Sequence, residues 1–124
     1  MTDPPYAQPA DKARARARVA AERAATEARI VSLARQHQTI VEGSRWTTDD
    51  DEHDPEGSTI AFERAQVQAL LDHTTRHLAE LDAAVGRLDD GTWGVCERCG
   101  GPIAAERLAV RPAAARCLTC AAVR

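Results

Sequence analysis

Val67-Gln68-Ala69-Leu70-Leu71-Asp72-His73-Thr74-Thr75-Arg76-His77-Leu78-Ala79-Glu80-Leu81-Asp82-Ala83-Ala84-Val85-Gly86-Arg87-Leu88 strings its bulky apolar side chains along one line. Val67, Leu71, Thr74, Leu78, Leu81, Val85 and Leu88 follow one another at intervals of 4, 3, 4, 3, 4 and 3, with Leu70 flanking. This alternation is a narrow heptad seam, the pattern of a helix that packs against one other helix. The Pro-free stretch around it predicts a helix from about Thr59 to Asp90, with Ser58 or Thr59 as its cap. Upstream, residues 11–42 contain neither Pro nor Gly, and Val19, Thr26, Ile30, Leu33, His37 and Ile40 lie 7, 4, 3, 4 and 3 apart. Asp11 suits the start of this helix and Gly43 its stop. His37 reads as a polar seam residue of the kind that fixes register. Two seams of matching period joined by a short connection predict an antiparallel hairpin, with arms of about 45 Å at 1.5 Å per residue.

Composition agrees. Of 124 residues, 25 are Ala and only Tyr6, Trp46, Phe62 and Trp93 are aromatic, leaving 8 Val, 8 Leu and 4 Ile to build a core. That is too little bulk for a sandwich, a barrel or a large pocketed enzyme, but enough for long helices with a thin seam. The fold class expected is all-α: a two-helix coiled-coil hairpin followed by a small four-cysteine zinc finger. Residues 1–10 read as a disordered N-terminal arm, 11–90 as the hairpin with its tip at 43–59, and 91–124 as the finger.

The formal net charge is −3, unevenly spread. Residues 1–48 carry eight basic and five acidic side chains, and 67–124 carry seven of each. The tip concentrates Asp49, Asp50, Asp51, Glu52, Asp54 and Glu56 without a base. A run of acids is usually a solvated loop, but placed at the end of a stiff arm it can deliver negative charge to a metal ion or a basic channel. No nucleophile, base or pocket accompanies it, so the chain reads as non-enzymatic. Trp46 either packs the tip or serves as an aromatic contact. No apolar run approaches a membrane span or a secretory signal, so the expected location is the cytoplasm, where thiols stay reduced.

In that setting Cys96-Glu97-Arg98-Cys99 and Cys117-Leu118-Thr119-Cys120, seventeen residues apart, read as metal ligands. Two CxxC turns assemble four thiolates around one Zn²⁺, and a complete sulfur shell leaves no open coordination position, so the ion is structural. Gly100 directly after Cys99 supplies the positive φ such a turn needs. A redox dithiol would require a βαβ context, and an iron–sulfur cluster usually shows other spacings. The zinc is expected to fold a segment with little core of its own. His73 and His77 lie one turn apart, but they read as seam-edge side chains and not as ligands.

Gly91-Thr92-Trp93-Gly94-Val95-Cys96-Glu97-Arg98-Cys99-Gly100, continuing through Pro102-Ile103, Arg107-Leu108, Pro112, Cys117 and Cys120, resembles the bacterial DksA/TraR transcription regulators. The hairpin before it is similar to the coiled coil of that family. The resemblance implies a factor that binds RNA polymerase without reading DNA. It also implies a coiled coil that enters the secondary channel, with tip acids near the catalytic magnesium and initiation altered, often together with guanosine tetraphosphate. Asp54, with Asp51 or Glu56, is then the expected active part of the tip, with Trp46 beside it. The tip departs from the DksA pattern of two aspartates three apart followed by alanine. Asp54 matches the first aspartate and Gly57 replaces the second, while Asp51 and Asp54 offer a shifted register.

Two other functions fit parts of the chain. A DNA-binding finger shares the seventeen-residue spacing, but Arg107, Arg111 and Arg116 stand against Glu106 and only Arg124 follows Cys120, a poor phosphate surface. An assembly module would pair exposed seam positions between copies. The polymerase reading predicts a monomer.

Overall fold

The computed structural model describes residues 9–44 and 55–123. Four helices follow in order: α1 (Pro9–Ser44), α2 (Pro55–Asp90), α3 (Ala105–Val110) and α4 (Leu118–Ala121). Among the described residues the only β pairing is an isolated antiparallel bridge between Val95 and Pro102. The long helices pack against each other. Arg16 pairs with Asp89 and Arg23 with Asp82, both at 2.6 Å, so seven residues forward on α1 correspond to seven back on α2. The expected antiparallel course is observed.

Both long helices begin earlier than expected, and α1 also ends later. α1 starts at Pro9 and not Asp11, and α2 at Pro55 and not Thr59, because proline is favoured in the first helical position, where its missing N–H removes no bond. Gly43 does not stop α1. It lies inside the helix without a positive φ, at a cost of about 1 kcal/mol relative to alanine. The end of α2 falls where expected. Gly91 adopts a φ of 83°, and the Thr92 N–H donates to the Arg87 carbonyl at 3.0 Å, closing a Schellman turn. Asp90 accepts from the Thr92 hydroxyl at 2.5 Å and from its N–H at 3.0 Å, and those bonds hold its carboxyl below the usual range. Helix α3 was not foreseen in the sequence.

The chain divides into two compact units, Met1–Ala24 with Ala79–Arg124, and Ala25–Leu78. In the second unit the heptad seams form the contact. Thr26, Leu33, Val67 and Thr74 are buried, and Ile30, His37, Ile40, Leu71 and Leu78 are half-buried. The Thr74 hydroxyl donates to the Leu70 carbonyl at 2.7 Å, so this buried polar group is satisfied within its own helix. Phe62, Val31 and Leu70 remain exposed.

The first unit holds a denser core. Val19 of α1 and Leu81, Ala84 and Leu88 of α2 meet Trp93, Cys96, Ile103, Leu108, Ala114 and Cys120, with Ala15 completing the cluster. Leu81, Ile103 and Val19 are fully enclosed. The finger therefore shares one core with the helix ends in the same unit.

Candidate metal centre

Each cysteine pair sits in a turn that the local sequence dictates. In the first, the Cys96 N–H donates to the Gly101 carbonyl at 2.8 Å and the Gly100 N–H returns to the Cys96 carbonyl at 2.9 Å. Gly100 takes a φ of 73°, a conformation that residues with a Cβ rarely adopt. The second pair opens α4, whose first turn is closed by the Ala121 N–H bonding to the Cys117 carbonyl at 2.9 Å. The two turns are joined by the Glu97 N–H donating to the Ala115 carbonyl at 2.9 Å, and by the Arg116–Glu97 ion pair at 2.9 Å.

The four sulfurs of Cys96, Cys99, Cys117 and Cys120 all lie within 4.8 Å of one another. Four thiolates about 2.3 Å from a tetrahedral zinc stand about 3.8 Å apart, and Cys99 Sγ and Cys117 Sγ are separated by 3.9 Å. The donor set and its spacing fit one structural Zn²⁺. Outer support is present as well: the Gly101 N–H points at Cys99 Sγ from 3.4 Å. Backbone N–H groups of Cys99 and Cys117 bring the Cys96 thiol down to about 6. Cys120 is pushed up to about 12 by hydrogen bonding to the Cys117 thiol, with burial adding to it. Binding of a dication removes the remaining thiol protons, so occupancy of the site falls as pH falls.

Side chains from the long helices and the finger fix this cluster through backbone carbonyls. Arg87 donates to the Ala113 carbonyl at 3.1 Å, Arg18 to those of Ala109 and Val110, and Arg107 to that of Arg116 at 3.0 Å. Trp93 Nε1 donates to the Pro112 carbonyl at 2.8 Å. Sequence reasoning missed these anchoring roles, since an arginine that bonds a distant carbonyl leaves no local pattern.

Of the remaining candidates, Trp46, Asp51 and Asp54 lie outside the described residues. Glu56 is the second residue of α2, and its side chain is also outside them. His73 is exposed and His77 half-buried.

Residues 91–124 match the prokaryotic dksA/traR C4-type zinc finger. The segment is a DksA/TraR-type finger. The chain is 34% identical over 64 residues to YteA of Bacillus subtilis (strain 168), spanning 52% of this chain and 27% of YteA. It is 35% identical over 54 residues to YlyA of the same organism, 44% of each chain. A protein of Aquifex aeolicus (strain VF5) is 43% identical over 44 residues, covering 36% of this chain and 30% of that one. The chain thus spans less than half the length of these curated relatives. The fold matches the structure of transcription factor DksA2 from Pseudomonas aeruginosa with a TM-score of 0.77, at 24% identity, over 98% of this chain and 88% of that one. A DksA/TraR-type finger following a two-helix hairpin is thereby the architecture of this chain. No helix among the described residues is long and apolar enough to cross a membrane.

Proposed function

We propose that this protein is a non-enzymatic transcription regulator that binds RNA polymerase and presents the acids between α1 and α2 to the secondary channel. The observation that carries this reading is the combination in one chain of a DksA/TraR-type finger and a DksA2-like fold. The six acids at 49–56 fall at or beside the connection between the long helices, where such a fold has its tip. Asp54, with Asp51 or Glu56, supplies the charge, and Trp46 the apolar contact. A tip of this kind acts by electrostatics on the magnesium-bearing centre of its partner and requires no chemistry of its own. The DNA-binding alternative finds little support: Arg107 and Arg116 are engaged within the finger, and α4 has four residues, too few to read a major groove.

The test replaces Asp51, Asp54 and Glu56 with Asn, Asn and Gln. Helicity and zinc content should stay at wild-type level while the effect on the lifetime of polymerase–promoter complexes disappears. A variant that keeps full transcriptional effect, or a wild-type protein with no affinity for core polymerase, contradicts the proposal.

A further inference from the structure

The four sulfurs of the metal centre are not equally placed. Cys96 and Cys120 are buried members of the core cluster, whereas Cys99 is exposed and Cys117 half-buried. Cys99 Sγ and Cys117 Sγ lie 3.9 Å apart, one from each CxxC turn, and form the solvent side of the site. A ligand from solution that takes the metal must displace a thiolate, and this pair is the one it reaches first. The two turns are tied together beside that edge. Glu97, between Cys96 and Cys99, donates its N–H to the Ala115 carbonyl at 2.9 Å, and its carboxylate accepts from Arg116 Nε at 2.9 Å. Arg116 directly precedes Cys117, and its carbonyl accepts from Arg107 Nε of α3 at 3.0 Å. The peptide that carries Cys117 is thus held from two sides, by Glu97 of the first turn and by Arg107. Moving Cys117 away from Cys99 requires these bonds to break, while Cys96 and Cys120 can stay in the core. The Glu97 and Arg116 side chains are about half exposed, so their pair adds little to global stability. Its effect falls on how often this edge opens, because local opening is governed by the few bonds that span the opening element.

We propose that zinc exchanges with a soluble chelating ligand through the Cys99–Cys117 edge, and that the Glu97–Arg116 pair, backed by Arg107, is the latch that limits the rate. All three are positioning residues, acting on the metal through the cysteines beside them. The proposal rests on zinc occupying the four sulfurs and does not depend on the transcriptional role.

Zinc transfer from the loaded full-length protein to excess 4-(2-pyridylazo)resorcinol, whose zinc complex is coloured, tests it. Glu97→Gln and Arg116→Gln should each bind one zinc per chain and each speed transfer by about threefold, and the double variant should be no faster than either single one. Acting on the site through their charges alone, residues of opposite sign would shift the rate in opposite directions. Amide exchange separates a latch from general loosening. In both single variants the Glu97 amide, which bridges the turns, should exchange faster, while the Ile103 amide, bonded to the Gly94 carbonyl at 2.9 Å within the core, keeps its wild-type rate. Shifts of opposite sign, additive effects in the double variant, unchanged transfer in both single variants, or equal acceleration of the Ile103 amide would overturn the proposal.

Discussion

The two compact units are built on the same helices and the same heptad period, yet they are held together differently. In the unit that contains the finger, eleven buried residues from α1, α2 and the cysteine segment form one cluster. In the unit from Ala25 to Leu78 the buried seam residues are Leu33 and Val67 with two threonines, Thr26 and Thr74. Heptad spacing therefore specifies which helix face meets its partner, and side-chain volume specifies how strongly. A metal-centred, aromatic-containing core makes one unit rigid, whereas a thin and partly polar seam makes the other easier to open.

The largest effect expected comes from breaking the metal-centred unit. Cys96→Ser removes a ligand that is also part of the buried core, so zinc content should fall from one ion per chain towards none. Cooperative thermal unfolding of the finger should go with it. Metal analysis and calorimetry read both, and a variant that retains its zinc would refute the ligand assignment.

Next in size is a paired truncation. Leu81→Ala leaves a void in a fully enclosed site and should cost about 3 kcal/mol in urea unfolding, whereas Leu71→Ala at the half-buried seam should cost about 1 kcal/mol. Equal losses would remove the contrast between the units. A smaller, opposite effect sharpens it. Thr74→Leu fills the thin seam with an apolar side chain and should slow amide exchange in residues 25–78, by up to about 1 kcal/mol of local stability, while leaving the finger amides unchanged.

The smallest effect concerns the end of α2. The Thr92 hydroxyl and N–H bonds lower the Asp90 carboxyl below its value of about 3.9 in an unfolded chain. The stabilisation is thus present above that value and is lost as pH falls through the lower, folded one. Carboxyl NMR should show Asp90 titrating below ordinary aspartates, and Thr92→Ala should bring it back towards them.

Much of this was legible in the sequence. Every seam position assigned from spacing alone, from Val19 to Ile40 and from Val67 to Leu88, is buried or half-buried. The four cysteines assemble as their spacing implied. What escaped notice has physical causes. Ala15 and Ala84 are core members, but in a chain with 25 alanines a small buried one carries no periodic signal. Pro9 and Pro55 punctuate the sequence like loop residues, although each begins a helix. The sharing of one core between helices and finger rests on contacts such as Leu81 and Ile103 in a common cluster, distant in sequence and set only by tertiary packing.

The most direct test of the central claim uses core RNA polymerase from the same organism, with Fe²⁺ in place of the catalytic Mg²⁺, and maps hydroxyl-radical cuts in this protein. Cuts confined to Trp46–Ser58 are predicted, because they place the acidic connection beside the polymerase centre. No cuts in a zinc-loaded, helical protein under binding conditions would contradict insertion of the tip and favour a role in assembly.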